Sequence, residues 1–185
     1  HLDHVLQSAM ICAENYSRTI SVMYDLSGMR PGDEEVLFDD IDQLEKEYGM
    51  KERKNRSYLY HNGKPLVAVW GVGFNDRRAY GLKEAGLIID GLQKRGYSIL
   101  LGVPTYWREF GSDTENNPEL HALIKKCDVV MPWFVGRYNE NTYPPFVELI
   151  RKDIVWCREN NLHYAPLAFP GFSWKNMKGP NSFQI

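Results

Sequence analysis

An α/β protein built on a parallel sheet is predicted by three features of the chain: short apolar runs with little alternation, helical periodicity in every gap between them, and near-regular spacing of the runs. The runs cover residues 20–24, 66–70, 99–103, 129–133 and 163–169. Strands buried on both faces lose the in-out alternation of a half-exposed sheet, and parallel sheets place their strands in that situation. Strand starts near 19, 66, 98, 128 and 163 give spacings of 47, 32, 30 and 35 residues. Successive βα units with right-handed crossovers follow from that alternation.

Each gap carries a helical stripe, with apolar residues returning at three, four and seven positions. Leu2, Val5, Leu6, Ala9, Ala13 and Tyr16 precede the first strand; Leu37, Ile41, Leu44 and Tyr48 follow it. The next stripes are Ala85, Ile88, Ile89 and Leu92, then Leu120, Leu123, Ile124 and Cys127, then Val147, Ile150, Ile154 and Cys157. Asn117-Pro118-Glu119 supplies a cap, a first-turn proline and an acid near the positive end of a helix dipole. Gly49 and Gly96 stand where two helices should stop. Asn62-Gly63, between apolar stretches, predicts a tight hairpin turn leading into the second strand, additional to the repeat.

The 185 residues suffice for one domain with a substantial core, and residues 1–185 are expected to form a single unit. A balance of 22 basic against 24 acidic residues, with no basic run interleaved with aromatics, argues against nucleic acid as a partner. No stretch approaches the roughly 20 apolar residues that cross a bilayer. No signal peptide is visible, and His1 in the first position suggests trimming. Three cysteines far apart, two of them on core stripes, predict reduced packing residues and no disulfide framework. His61 and His121 are expected on a hairpin and a helix surface, and His163 opens a strand at the end opposite the chemistry. Cysteine and histidine lack zinc spacing, the acids are not clustered for calcium, and Gly71-Val72-Gly73 lacks the third glycine of a phosphate loop. No metal or cofactor is expected.

In parallel α/β folds the loops after the strands build the site. Four of the five tryptophans, Trp70, Trp107, Trp133 and Trp174, stand at or just past the end of an apolar run. A pyranose presents an apolar face of C–H bonds and a rim of hydroxyls, so an indole covers the first while carboxylates, amides and guanidinium groups bond the second. Trp70, Tyr106, Trp107, Trp133 and Trp174 are the candidates for stacking. Tyr24, Asp25, Asp76, Arg108, Glu109, Arg137, Tyr138 and Asn176 are the candidates for the remaining contacts. Asp25, followed by Ser27-Gly28, serves equally as a turn former. Asp76 and Glu109 each lie beside an arginine, and a local ion pair lowers the carboxyl pKa, which suits an acceptor better than a general acid.

These strand-end segments resemble glycoside hydrolase family 99 and its bacterial relatives, the family 71/99-like proteins. The matching stretches are residues 22–28, 61–74, 102–108, 131–138 and 169–174, in the expected order over nearly the whole chain. The resemblance implies a (β/α)8 barrel with its site at the C-terminal face. It also implies endo-acting, retaining hydrolysis of α-mannosidic linkages by a secreted, periplasmic or cell-envelope enzyme. The family's two catalytic glutamates share one short acidic stretch, and no such stretch is present, so they are expected beyond Ile185. Five strands against the eight of a barrel of about 250 residues mark the sequence as an internal portion, requiring missing strands from the rest of its own chain. The partner implied is an oligosaccharide or polysaccharide. Two other readings stay open: a non-catalytic carbohydrate-binding barrel, and an open doubly wound sheet of the flavodoxin kind, which bulky aromatic loop tips disfavour.

Overall fold

The computed structural model describes residues 2–52 and 56–169. Helix α1 (Leu2–Asn15) precedes strand β1 (Val22–Asp25) and helix α2 (Glu34–Tyr48). A short strand β2 (Tyr60–His61) turns back into β3 (Lys64–Trp70), followed by α3 (Leu82–Lys94), β4 (Ser98–Val103), α4 (Glu119–Ile124), β5 (Val129–Pro132), α5 (Tyr143–Glu159) and β6 (His163–Tyr164). The local signals work as their chemistry requires. Gly49 takes the left-handed conformation (φ 57°) that ends α2, its N–H donating to Glu45 O. Asn62 and Gly63 both have positive φ, 49° and 79°, as a type I′ hairpin turn demands. Asn117 Oδ1 accepts from Glu119 N at 2.9 Å to open α4, and two prolines occupy the first turn of α5.

The sheet order is β1-β3-β4-β5-β6, all parallel, with β2 antiparallel to β3. Strand order thus follows chain order, whereas a doubly wound sheet reverses direction at a switch point. The helices share one face. Val67, Val69, Ile99, Leu101, Val103 and Val130 form a single buried cluster with Leu37 and Ile41 of α2, Ile88 and Leu92 of α3, Leu120 and Ile124 of α4 and Cys157 of α5. This is a singly wound arc of a (β/α) barrel, and the flavodoxin-like alternative is excluded.

Register sorts the strand residues into two sides. Tyr24, Val69, Leu101, Val130 and Tyr164 make one row across the five strands, on the helix side. Asp25, Trp70, Gly102 and Met131 make the next row, on the concave side. Burial on the helix side is near complete: Ile41, Ile88, Ile89, Leu92, Ile99 and Leu101 are all at 0% exposure. Each such aliphatic side chain contributes about 1.5–3 kcal/mol on burial.

Two stripes differ from expectation. On α5 the buried positions are Phe146, Leu149, Asp153 and Cys157, not Val147, Ile150 and Ile154, which are only half-buried. An aspartate in the middle of the true stripe disguises it. On α1 the buried residues are Met10 and Ala13, while Val5 and Tyr16 are exposed, because the helix meets the core along one narrow line. The hairpin is fastened at the N-terminal end of the sheet: His61 Nδ1 lies 3.0 Å from Ser98 Oγ and its Nε2 2.6 Å from His163 Nδ1. His121, expected on a helix surface, is instead wedged among Phe110, Trp107 and Trp156, stacked on Phe110 at 4.3 Å. Burial lowers the His121 pKa. Among the described residues no helix is long and apolar enough to cross a membrane.

Candidate functional site

At the C-terminal end of the arc the indoles of Trp70 and Trp133 meet at a centroid distance of 4.7 Å, tilted by 49°. They arise from β3 and from the residue after β5, so β4 lies between them. The contact is possible because the intervening residue is Gly102: a Cβ there would stand 2.1 Å from Trp70 Cε3. A glycine in a central strand weakens it and marks a close approach. Phe74 extends the aromatic row on the other side, 5.3 Å from Trp70. All three rings are half-buried. Asp25 and Met131 flank them in the same row.

The loop after β3 is shaped by Gly71 (φ 102°) and Gly73 (φ 83°). Their role is a sharp turn rather than a phosphate cradle. A Cβ on Gly73 would press into Leu120 at 2.6 Å, so the glycine also admits α4. Phe74 bridges to Thr114, and Asn75 N donates to Asp113 O at 2.7 Å. Asp113 in turn pairs with Arg137. The loops after β3, β4 and β5 are therefore tied into one rim around the indole pair.

Electrostatically the rim is locally neutralised. Asp76 pairs with Arg78, and the hydrogen bond from that arginine holds the carboxyl below the usual range. Glu109 pairs with Arg108 at 2.8 Å. Arg108 also donates to Asp153 at 2.8 Å, and Asp153 is fully buried. Burial pushes the Asp153 carboxyl up to about 6, with Arg108 drawing it only part of the way back. Burial also works against the Arg108 charge, yet its two carboxylate partners more than offset that, so the guanidinium is held charged. The two shifts pull against each other across one bond; burial dominates because the aspartate has no exposed surface. The Trp107 indole N–H lies near enough to favour the Asp153 anion without forming a hydrogen bond of ordinary geometry.

Of the predicted residues, the structure brings Asp25, Trp70, Asp76, Trp133 and Arg137 to this rim. Asp25 is exposed, and its Oδ1 accepts from Ser27 N at 2.9 Å, so the turn uses one of its two oxygens. Trp107 is a correction: it is 0% exposed, in edge contact with Trp156 at 4.8 Å, and offers no face to a ligand. Tyr24 is another. It lies on the helix side, and its hydroxyl donates to Asp40 Oδ2 at 2.6 Å; burial, then Asp40, raises its pKa. Arg108 faces α5 through Asp153, with Glu109 beside it. Tyr106 and Tyr138 pack on Phe146, centroids at 6.3 and 5.2 Å, in a second cluster with Phe134 and Leu149. Trp174 and Asn176 lie outside the described residues. Sequence reasoning missed Phe74, Arg78, Gly102 and Asp113 as parts of the site. Gly102 had a signal, since it interrupts an otherwise aliphatic run.

Two adjoining, mutually tilted indoles over a strand end, edged by carboxylates and a guanidinium, form a shelf for a flat apolar surface carrying hydroxyls. Among the described residues no three His, Cys, Asp or Glu side chains come together to hold a metal ion. No family model matches the sequence, and no curated protein matches it. Among solved structures, the GH99 endo-alpha-mannosidase from Bacteroides thetaiotaomicron superposes on 93% of this chain with a TM-score of 0.55 at 12% identity. The chain has a GH99-like fold. It spans 46% of the length of that neighbour. The five parallel strands of the GH99-like arc carry their loops as a barrel does, and the Trp70–Trp133 rim occupies the face where (β/α) barrels place their sites.

Proposed function

We propose that this chain forms the substrate wall of a glycoside hydrolase, endo-acting and retaining, whose substrates are α-linked manno-oligosaccharides or polysaccharides. The observation that carries the reading is the contact of Trp70 with Trp133 at the C-terminal rim. Sugar C–H faces stack on such a surface, and enclosure of the pair by polar groups gives orientation. In this reading Trp70 and Trp133 stack on successive sugar residues, Asp25, Asp76 and Arg137 bond hydroxyls, and Trp174 and Asn176 complete the wall. Tyr106 and Tyr138, on the loops after β4 and β5, reach the more distant sugars. The acid chemistry belongs to two glutamates outside this sequence. The enzyme acts outside the cytoplasm, where such polymers are met.

The test is to incubate the full-length protein with an α-mannan and an α-linked mannotetraose, and follow reducing ends and the anomer first released. Internal cleavage with retained α-configuration supports the reading. Tight binding of the tetraose with no cleavage would replace it with a non-catalytic carbohydrate-binding barrel, and neither binding nor cleavage would remove carbohydrate altogether.

A further inference from the structure

Arg78 has no place in the wall just described, yet its guanidinium converges on the backbone that carries Trp70. Its Nη1 donates to Gly71 O, the carbonyl of the residue after Trp70, and Tyr80 donates its hydroxyl to the same oxygen at 2.5 Å. Arg78 Nη1 also lies 3.0 Å from Tyr80 Oη, so three groups close on one another. On its other edge the guanidinium holds the carboxylate of Asp76 through Nε and Nη2. Its plane covers the Phe74 ring at 4.8 Å. Phe74 touches Trp70, and Trp70 touches Trp133. A continuous row of guanidinium, phenyl and two indoles, each ring tilted on the next, thus crosses the rim.

The backbone on either side is equally committed. Trp70 O accepts from Leu26 N at 3.0 Å, and the N–H groups of Gly71 and Val72 both donate to Gly102 O at 3.1 Å. Gly71 O is the acceptor that Arg78 and Tyr80 share. Gly71 must be glycine for this: φ is 102°, and a Cβ would stand 2.8 Å from Arg78 Nη1 and 3.0 Å from Tyr80 Oη. The Arg78 side chain is only 14% exposed. Burial opposes its charge, but Asp76 and Tyr80 outweigh burial and hold it cationic. Burial raises the Tyr80 pKa, which keeps its hydroxyl a donor. A lysine could supply charge but neither the fork nor the planar face.

We propose that Arg78, assisted by Tyr80, is the positioning residue of the indole shelf: it fixes the Trp70–Gly71 turn and the Phe74 ring, and thereby sets the geometry in which Trp70 meets Trp133. Its relevance to sugar binding rests on the function proposed above; its hold on the indole pair does not. Two indoles in contact couple their electronic transitions and give a split circular-dichroism band. Trp107 and Trp156 form a second such pair at 4.8 Å, so the split band of the Trp70–Trp133 pair is the component that W70A abolishes, and it is read without any ligand.

The experiment compares the full-length protein with R78M, R78K, Y80F, W70A and the control R95M. Arg95 has the same chemistry elsewhere, stacked on Phe38 at 4.4 Å and paired with Asp42 at 3.0 Å. The readouts are the split band, the thermal midpoint and the dissociation constant for an α-linked mannotriose. The expected result is loss of the Trp70–Trp133 component of the split band in R78M and R78K, partial loss in Y80F, and a tenfold weaker affinity in R78M, with R95M unchanged in band and affinity whatever its midpoint. A full split band and unchanged affinity in R78M overturn the proposal; should R78M fail to fold, an unaltered band in Y80F does the same. If W70A binds the trisaccharide as the wild type does while R78M still loses the band, the sugar reading falls and the positioning role stands.

Discussion

The indole of Trp70 lies across Gly102 of the neighbouring strand, close enough that a methyl group there would stand 2.1 Å from Cε3. The reach from β3 to Trp133 exists only because this position carries no side chain. Gly102→Ala is expected to force the indole aside and to cost about 1–3 kcal/mol through overpacking. Urea unfolding measures the stability, and the split indole band measures the displacement. A variant with wild-type stability and an intact band would mean that the shelf does not depend on this crossing.

Trp107 and Trp70 should separate stability from binding. Trp107 is fully buried against Trp156 and His121, so Trp107→Ala is expected to lose about 3–5 kcal/mol, as buried aromatic truncations do. Trp70 is half-buried, and its truncation should cost a minor part of that. Denaturant midpoints of the two variants decide it. Equal losses would place Trp70 in the core.

Asp153 predicts an inverted pH dependence. Its folded pKa, pushed up by burial to about 6, exceeds the value of about 3.9 for an unfolded aspartate. The group therefore favours the fold fully below the unfolded pKa, and that contribution is lost as pH rises through the folded one. Thermal midpoints recorded from pH 4 to 7 should show this falling limb in the wild type and lack it in D153N. An identical profile in both proteins would contradict the assignment.

Thiol reactivity follows burial. Cys127 and Cys157 are buried, Cys12 is exposed, and burial raises the Cys127 thiol and pushes the Cys157 thiol up to about 12. Only thiolates react with disulfide reagents at appreciable rates. Titration of the folded protein at neutral pH should modify Cys12 rapidly and the other two only after denaturation. Rapid modification of all three in the folded state would refute the packing described.

The arc was legible because parallel strands and their crossover helices write two distinct periods, and the aliphatic rows Ile88–Ile89–Leu92 and Ile99–Leu101 state the helix side plainly. Where a polar residue is buried, the period is disguised. Asp153, satisfied by Arg108 and Tyr164, turned the α5 stripe by one position. Position along the chain could place Trp70, Trp107 and Trp133 after strands but could not say which way each ring turns. Trp107 falls in a loop that folds back beneath α5, while Trp70 and Trp133 follow concave-side register. Tyr24 shows the same limit: it precedes Asp25 by one residue, and in a strand one residue reverses the face.

A saccharide shelf at Trp70 and Trp133 makes binding depend on both indoles. Calorimetric titration of an α-linked mannotriose into the full-length protein and its W70A, W133A and Y24F variants measures that dependence. W70A and W133A should each weaken binding at least tenfold, about 1.4 kcal/mol, while Y24F, altered on the helix side, binds as the wild type does. Unchanged affinity in both tryptophan variants, with the folded state intact by circular dichroism, would contradict the account.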